Sequence, residues 1–141
     1  MHHPLRVLFV CALNKWRSPT AEVLYRNDPR LQVRSAGIRS DAKRRISAMD
    51  IEWADVIIVM DREQKRWIQE QFQGESSPTI QVLDIPDALV YMDPELQRLL
   101  RLAIDPEIDA LLELPPADIK PKPKTTPPAP ADPPDTGLRA G

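Results

Sequence analysis

The sequence is short of the side chains from which most redox and metal sites are built. Its 141 residues include 1 cysteine, so neither an internal disulfide nor a cysteine-rich zinc site can form within the chain. The 2 histidines, His2 and His3, precede the first apolar segment, which argues against a buried histidine base or a histidine metal site. We therefore expect no metal and no cofactor, and any covalent chemistry must use the single thiol.

The chain also lacks an excess of one charge and a long apolar run. A formal net charge of -2 provides no basic field for nucleic acid, and no stretch approaches the roughly twenty apolar residues that cross a bilayer. The apolar segment after Arg6 is followed by NKWR rather than by a small-residue signal cleavage site. Together with the lone cysteine, this predicts a cytoplasmic protein without a nucleic-acid or membrane partner. The oligomeric state stays open.

Proline is concentrated at the C-terminal end of the chain. Of the 16 prolines, nine lie in residues 115–141, a segment with almost no large apolar side chains. Proline lacks the backbone donor, and repeated X-Pro pairs exclude a helix. We predict one domain over residues 1–114, followed by a proline-rich disordered tail over residues 115–141.

Two hydrophobic periodicities alternate before the tail. Short apolar segments predict strands over residues 5–11, 31–35, 56–60 and 79–83. Amphipathic segments predict helices over residues 18–27 and 61–72 and from residue 93 onward, with a short last helix or a kinked continuation after Asp105. Ser18 is expected to cap the first of these helices. The alternation predicts an α/β fold: a three-layer arrangement of a four-stranded parallel sheet with helices on both faces.

One cysteine and one arginine stand where the first predicted strand turns into the first predicted helix. Cys11 ends the strand, and Arg17 follows after five residues. Backbone N–H groups in such a turn can converge in front of the helix N-terminus, where they attract an anion. Thiols in this environment ionise near neutral pH and become nucleophiles, and the planar arginine fork binds two phosphoryl oxygens. The spacing therefore predicts an oxyanion site with a cysteine nucleophile.

A leaving alkoxide or phenoxide also needs a proton donor. With no histidine inside the domain, a carboxylic acid is the natural candidate. Asp84, Asp87 and Asp93 all follow the fourth predicted strand, at the edge of the sheet where ligands bind. Asp93 precedes Pro94 and is also expected to be a helix N-cap. On these grounds all three aspartates stay candidates.

The segments around these residues resemble the low-molecular-weight protein tyrosine phosphatases, whose signature is a strand ending in Val-Cys, five residues and then Arg-Ser-Pro. VLFVCALNKWRSPTAE, VRSAG and WADVIIVMDREQ occur here in the family's order. The IPD segment followed by MDPEL resembles a short predicted-phosphatase branch of that family. The resemblance covers about residues 5–112 and implies a flavodoxin-like fold of the phosphotyrosine phosphatase I type.

The resemblance also implies a catalytic role for three side chains. Cys11 would form a phosphocysteine intermediate, and Arg17 would bind the phosphoryl group. Asp87, in the segment IPDA, would be the general acid, with Asp84 and Asp93 as alternatives. The phosphate-binding residues would be Ala12, Leu13, Asn14, Lys15, Trp16, Arg17 and Ser18.

The resemblance implies supporting roles as well. Asn14 matches an asparagine with a left-handed backbone, Ser35 would help to hold it, and Ser18 would donate its hydroxyl to the thiolate. The chain departs from the family at Leu13, where a glycine is usual, and at Trp16, which replaces a second loop cysteine. The short spacing before the third strand implies a shortened or missing second helix. Trp16 and Tyr91 are candidates for aromatic walls of the cleft.

Three functions are compatible with these observations. The first is hydrolysis of phosphotyrosine or another phosphomonoester, with a phosphorylated protein or a small aryl phosphate as partner. The second is a non-catalytic module that binds phosphate or a phosphopeptide. Arsenate reduction is less favoured, because its thioredoxin-coupled form needs further thiols. A basic cluster is expected to be either a solvated face or a surface that recognises an acidic partner: Arg34, Arg39, Lys43, Arg44 and Arg45.

Overall fold

The protein is built around one parallel sheet. The computed structural model describes residues 4–72 and 78–113. Its strands are β1 (Leu5–Cys11), β2 (Leu31–Gly37), β3 (Val56–Val59) and β4 (Thr79–Val82), in the order β2-β1-β3-β4. All three pairings are parallel. The predicted four-stranded parallel sheet is confirmed, and its two central strands are the near-continuous apolar runs that burial on both faces requires.

Within the described residues, four helices cover the two faces of the sheet. They are α1 (Arg17–Tyr25), α2 (Ala48–Trp53), α3 (Arg62–Gln71) and α4 (Pro94–Leu112). Alternate side chains of β1 point to opposite faces, so each face has its own core. The first core contains α1 and α4 side chains against β1: Val7, Phe9, Tyr25, Leu96 and Leu100. The second contains α2 and α3 side chains against the other face of β1: Leu8, Val10, Ile51 and Ile68.

The start of α1 differs from the sequence prediction. Its N-cap is Trp16, and Ser18 lies inside the helix as its second residue. The Ser18 hydroxyl lies 3.0 Å from the sulfur of Cys11, so it is engaged there rather than with the first-turn N–H groups. Thr20 instead donates its hydroxyl to the Trp16 carbonyl at 2.6 Å. The prediction that Ser18 caps the helix was therefore wrong.

Two further elements decide between alternatives that the sequence left open. Helix α2 has only six residues, too few to show a periodicity, and it is held by a capping box between Ser47 and Asp50. Helix α4 runs through Pro106 as one element of 19 residues. Its buried positions Leu100, Ile104 and Ile108 continue along one face across the proline, so packing on the sheet maintains the helix.

Two expectations concern the ends of the chain and the membrane. The predicted tail over residues 115–141 lies outside the described residues. Within residues 4–72 and 78–113, no helix combines the length and the apolar character that crossing a bilayer requires.

Candidate active site

A pocket of about 160 Å³ lies at the carboxyl ends of the central strands. It is lined by Cys11, Ala12, Leu13, Lys15, Trp16, Arg17 and Asp87. The structure thus brings together the candidate nucleophile, the candidate phosphoryl ligand and one of three candidate acids. Asp84 and Asp93 do not line this pocket, and Asp93 caps α4 by accepting a hydrogen bond from the Glu95 amide at 2.8 Å.

The loop after Cys11 is held from behind by the chain that follows β2. The carbonyls of Cys11, Ala12 and Leu13 accept hydrogen bonds of 3.2, 3.0 and 3.0 Å from backbone amides of the segment 38–43. In a trans peptide the N–H points away from the carbonyl of the same unit. The next amides along the loop therefore face away from that segment and stay available to an anion.

Gly37 permits this close approach of two backbones. A Cβ atom at Gly37 would lie 2.7 Å from both the Ala12 carbonyl oxygen and the Asn14 amide nitrogen, and 2.8 Å from the Cβ of Ala42. Any side chain at this position would displace the loop. This role of Gly37 was not predicted from the sequence, although the glycine in VRSAG was the available signal.

Asn14 locks the loop from inside. Its φ of 54° lies in the left-handed region, which asparagine tolerates better than most residues. Its Nδ2 donates to the hydroxyls of Ser18 and Ser35, each at 3.0 Å. Leu13 is not among the described non-glycine residues with positive φ, so leucine replaces the usual glycine there without backbone strain.

The sulfur of Cys11 is almost buried at the floor of this loop. The residue is 3% exposed, and its Sγ lies 3.0 Å from the Ser18 hydroxyl oxygen. The side chain is a free thiol. The arrangement provides a hydroxyl donor and backbone amides for a negatively charged sulfur.

Arg17 is held so that one edge of its guanidinium makes no hydrogen bond. The residue is 2% exposed, and its Nη1 donates to Asp61 Oδ2 at 3.0 Å and to the Ile85 carbonyl at 2.9 Å. Its Nε is buried without a hydrogen-bond acceptor, and Asp87 Oδ1 lies 3.5 Å away. Because Nε and Nη2 share the opposite edge from Nη1, this edge can donate two parallel hydrogen bonds to an oxyanion.

Asp61 is a site residue that was predicted only as the start of a helix. It follows β3 after one residue, beside the end of β1. The general rule that ligands bind beyond the carboxyl ends of parallel strands could have found it. The second oxygen of Asp61, Oδ1, is buried without a partner among the described residues.

The aromatic candidates divide between the pocket and the surface. Trp16 is half-buried and lines the pocket, with the Lys15 ammonium 5.9 Å from its ring centroid. Tyr91 is 49% exposed and does not line the pocket. Trp16 is therefore the aromatic side chain available to a substrate at this pocket.

Most of the basic cluster has structural partners. Arg34 and Arg44 contact the buried carboxylate of Asp50 at 3.3 and 2.5 Å. Arg45 lies 5.8 Å from the Trp67 ring centroid. The side chains of the remaining members, Arg39 and Lys43, make no hydrogen bond or ion pair with the described residues.

Solved structures of known proteins share this fold. No protein-family model and no curated protein matches the sequence. A low-molecular-weight protein tyrosine phosphatase from Streptococcus pyogenes is similar with a TM-score of 0.65 and 20% identity, over 76% of this chain and 93% of that one. The tyrosine phosphatase Wzb from Escherichia coli K30, in complex with phosphate, has a TM-score of 0.59 and 18% identity, over 75% and 97% of the two chains.

A third similar structure differs in its named substrate. The YwlE arginine phosphatase from Geobacillus stearothermophilus has a TM-score of 0.57 and 25% identity, over 79% of this chain and 99% of that one. The chain resembles the low-molecular-weight protein tyrosine phosphatases and has their flavodoxin-like α/β fold.

Proposed function

We propose that this chain is a cysteine-dependent phosphatase of phosphomonoesters, with phosphotyrosine or another aryl phosphate as substrate. One observation carries the proposal: the sulfur of Cys11 and the buried Arg17, whose Nε makes no hydrogen bond, line the same pocket together with Asp87. A nucleophile, an oxyanion ligand and an acid are the three groups that the reaction needs.

The first step transfers the phosphoryl group to sulfur. The Cys11 thiolate attacks phosphorus opposite the leaving oxygen, so an S–P bond forms as the P–O bond breaks. Arg17 and the loop amides bind the non-bridging oxygens, where charge is spread in the transition state. Asp87 donates its proton to the departing oxygen, and the product leaves as a neutral phenol or alcohol.

The second step releases phosphate. Asp87, now a carboxylate, accepts a proton from a water whose oxygen attacks phosphorus, and the P–S bond breaks. Inorganic phosphate leaves and the thiolate is restored. The Asp87 side chain is 60% exposed, so it can reach both the leaving group and solvent water.

The pocket lining favours an aryl phosphate over phosphoarginine. Trp16 offers a ring against which a phenyl group can pack. The guanidinium of a phosphoarginine would instead bring positive charge toward Lys15, which lines the same pocket. The named activity of one similar structure therefore does not carry over to this chain, and tyrosine phosphatase activity is the closer proposal.

Hydrolysis of p-nitrophenyl phosphate tests the proposal. We expect turnover with a burst of p-nitrophenol, competitive inhibition by vanadate, and loss of both burst and turnover in Cys11→Ser. Arg17→Lys should lower kcat/KM at least about a hundredfold, because lysine cannot donate in parallel to two oxygens. Arg39→Lys is the matched control, since the Arg39 side chain is exposed. Vanadate binding without turnover by the wild type would overturn the proposal and favour a phosphate-binding module.

A further inference from the structure

Glu22 of α1 stands at the far end of a hydrogen-bond chain that begins at the sulfur. Its Oε1 lies 2.5 Å from the Ser35 hydroxyl oxygen. Ser35 and Ser18 both contact Nδ2 of Asn14 at 3.0 Å, and Ser18 lies 3.0 Å from the sulfur of Cys11. Among the described residues, Ser35 is the only hydrogen-bond partner of the Glu22 side chain.

The donor inventory of these groups sets the direction of every bond in the chain. A glutamate carboxylate can only accept, so the single hydroxyl proton of Ser35 is committed to Glu22. The Ser35 oxygen must then accept from Asn14, which fixes the amide with Nδ2 toward the two serines. Since the second Nδ2 proton goes to Ser18, the Ser18 oxygen accepts there and its own proton is free to be donated.

The free Ser18 proton has two acceptors within reach. They are the Cys11 sulfur at 3.0 Å and the Ala36 carbonyl at 3.3 Å. Sulfur is the larger atom and the closer one, and as a thiolate it carries a full charge, so it is the stronger acceptor. We propose that Glu22 is a positioning residue that, through Ser35 and Asn14, orients the Ser18 hydroxyl toward Cys11. The inference rests on the nucleophile role of Cys11 proposed above.

When Glu22 is neutralised, this positioning role and a direct charge effect predict opposite shifts in the pH at which Cys11 ionises. Removing a negative charge near a thiolate favours the thiolate by Coulomb's law alone, which would move its ionisation to lower pH. Loss of the oriented donor disfavours the thiolate and moves its ionisation to higher pH. The charged groups that line the pocket with the sulfur are Arg17, Lys15 and Asp87, and Asp61 holds Arg17 from outside. None of them is changed by a substitution at Glu22.

The pH profile of Cys11 alkylation by iodoacetamide measures this effect without any turnover. In Glu22→Gln the new amide can donate to Ser35, which permits the whole chain of bonds to reverse. We expect the midpoint of the profile to rise by about one pH unit, the loss appropriate to one hydrogen bond to an ionised group. Ser35→Ala should give a similar rise, and the double variant should not exceed either single one. Glu70→Gln, an exposed glutamate on α3, is the matched control.

The outcomes separate the two proposals. A midpoint that stays or falls in Glu22→Gln, with the fold retained, overturns the positioning role even if the enzyme turns over. A raised midpoint in a protein that never hydrolyses an aryl phosphate keeps the positioning role and removes the phosphatase proposal. If Glu22→Gln does not fold, Ser35→Ala alone decides by the same criterion, with Ser18→Ala as the reference for complete loss of the donor.

Discussion

Asp61 and Arg17 form a 3.0 Å ion pair that joins the end of β3 to the start of α1. Nη1 of Arg17 donates both to Asp61 Oδ2 and to the Ile85 carbonyl. Because both acceptors lie on the Nη1 side of the guanidinium, the opposite edge, formed by Nε and Nη2, remains available for an oxyanion. The pair thus sets which edge of a buried guanidinium a ligand can use.

Asp61→Asn tests this orientation. Asparagine is as good an N-cap as aspartate, and the Gln64 side chain can still accept from the backbone amide of residue 61, so the start of α3 is kept while Arg17 loses a charged acceptor. We expect KM for p-nitrophenyl phosphate to rise about tenfold, which corresponds to about 1.4 kcal/mol of binding free energy, and Tm to fall slightly. Steady-state kinetics and thermal unfolding check it. Asp41→Asn, at an exposed position, should change neither, and an unchanged KM in Asp61→Asn would contradict the assigned role.

Gly37→Ala tests the contact between β2 and the loop. The added methyl would lie 2.7 Å from two backbone atoms that cannot rotate away. We expect a loss of about 1–3 kcal/mol in the free energy of unfolding, measured in urea, and a marked loss of vanadate affinity. The double variant Gly37→Ala/Ala42→Gly relieves only the side-chain contact. If stability and vanadate affinity recovered fully in that double variant, the close approach of the two backbones would not be the reason for a glycine at position 37.

Asp87→Asn tests the general acid. An acidic phenol leaves without help, whereas a poor leaving group needs the proton. We expect kcat to fall about a hundredfold or more for phenyl phosphate and less for p-nitrophenyl phosphate, with vanadate binding retained. Asp84→Asn and Asp93→Asn are the controls, and asparagine keeps the Asp93 cap of α4. If instead a control variant lost more kcat for phenyl phosphate than for p-nitrophenyl phosphate, the residue changed in that control would be the general acid.

Lys15→Gln tests how the pocket chooses its substrate. The wild-type ammonium should repel a phosphoarginine guanidinium by an energy on the order of 1 kcal/mol. Removal of the charge should therefore lower the preference for a phosphotyrosine peptide over a phosphoarginine peptide about fivefold, measured as the ratio of the two kcat/KM values. Lys43→Gln removes an exposed charge from the segment behind the loop and should leave the ratio unchanged. An equal ratio in Lys15→Gln and in the wild type would show that Lys15 does not determine the substrate preference.

The stability of the α1–α4 contact should depend on pH in the alkaline range. Burial, and then the hydrogen bond that Tyr25 donates to Asp105, raise the pKa of Tyr25 far above its ordinary value of 10.0. The folded state therefore holds this proton more tightly than the unfolded chain. The stabilisation is intact below pH 10 and is lost as the pH rises above it.

Tyr25→Phe removes both the hydrogen bond and this titration. We expect about 1–2 kcal/mol lower stability at pH 7 and a shallower decline between pH 9 and about pH 11, followed by urea unfolding. Tyr91→Phe is the control, because Tyr91 is half exposed. If the free energy of unfolding declined equally with pH in Tyr25→Phe and in the wild type, Tyr25 would not be the cause of the alkaline loss of stability.

Local pattern was enough to predict the elements that are long and strongly periodic. The four strands and the helices α1, α3 and α4 are close to their predicted positions, because each is encoded by side chains that are neighbours along the chain. The six-residue α2 is shorter than two turns and shows no periodicity, so the pattern did not predict it, and only the resemblance left a shortened second helix open. Ser18 was assigned as a cap because the same residue type serves both a helix start and a contact with a thiol, and local sequence does not distinguish them.

The sequence by itself determined the α/β architecture, because local periodicities encode its strands and helices one by one, and the pairing of Cys11 with Arg17, because both lie in one strand–loop–helix unit. Only the tertiary structure decided which aspartate lines the pocket, which carboxylate orients Arg17, and that Glu22 faces Ser35. These contacts join residues as far as 44 and 68 positions apart in the case of Asp61 and Ile85 with Arg17. The Asp61 contact exists because the strand order β2-β1-β3-β4 sets the ends of β1 and β3 side by side, and no local periodicity contains that order.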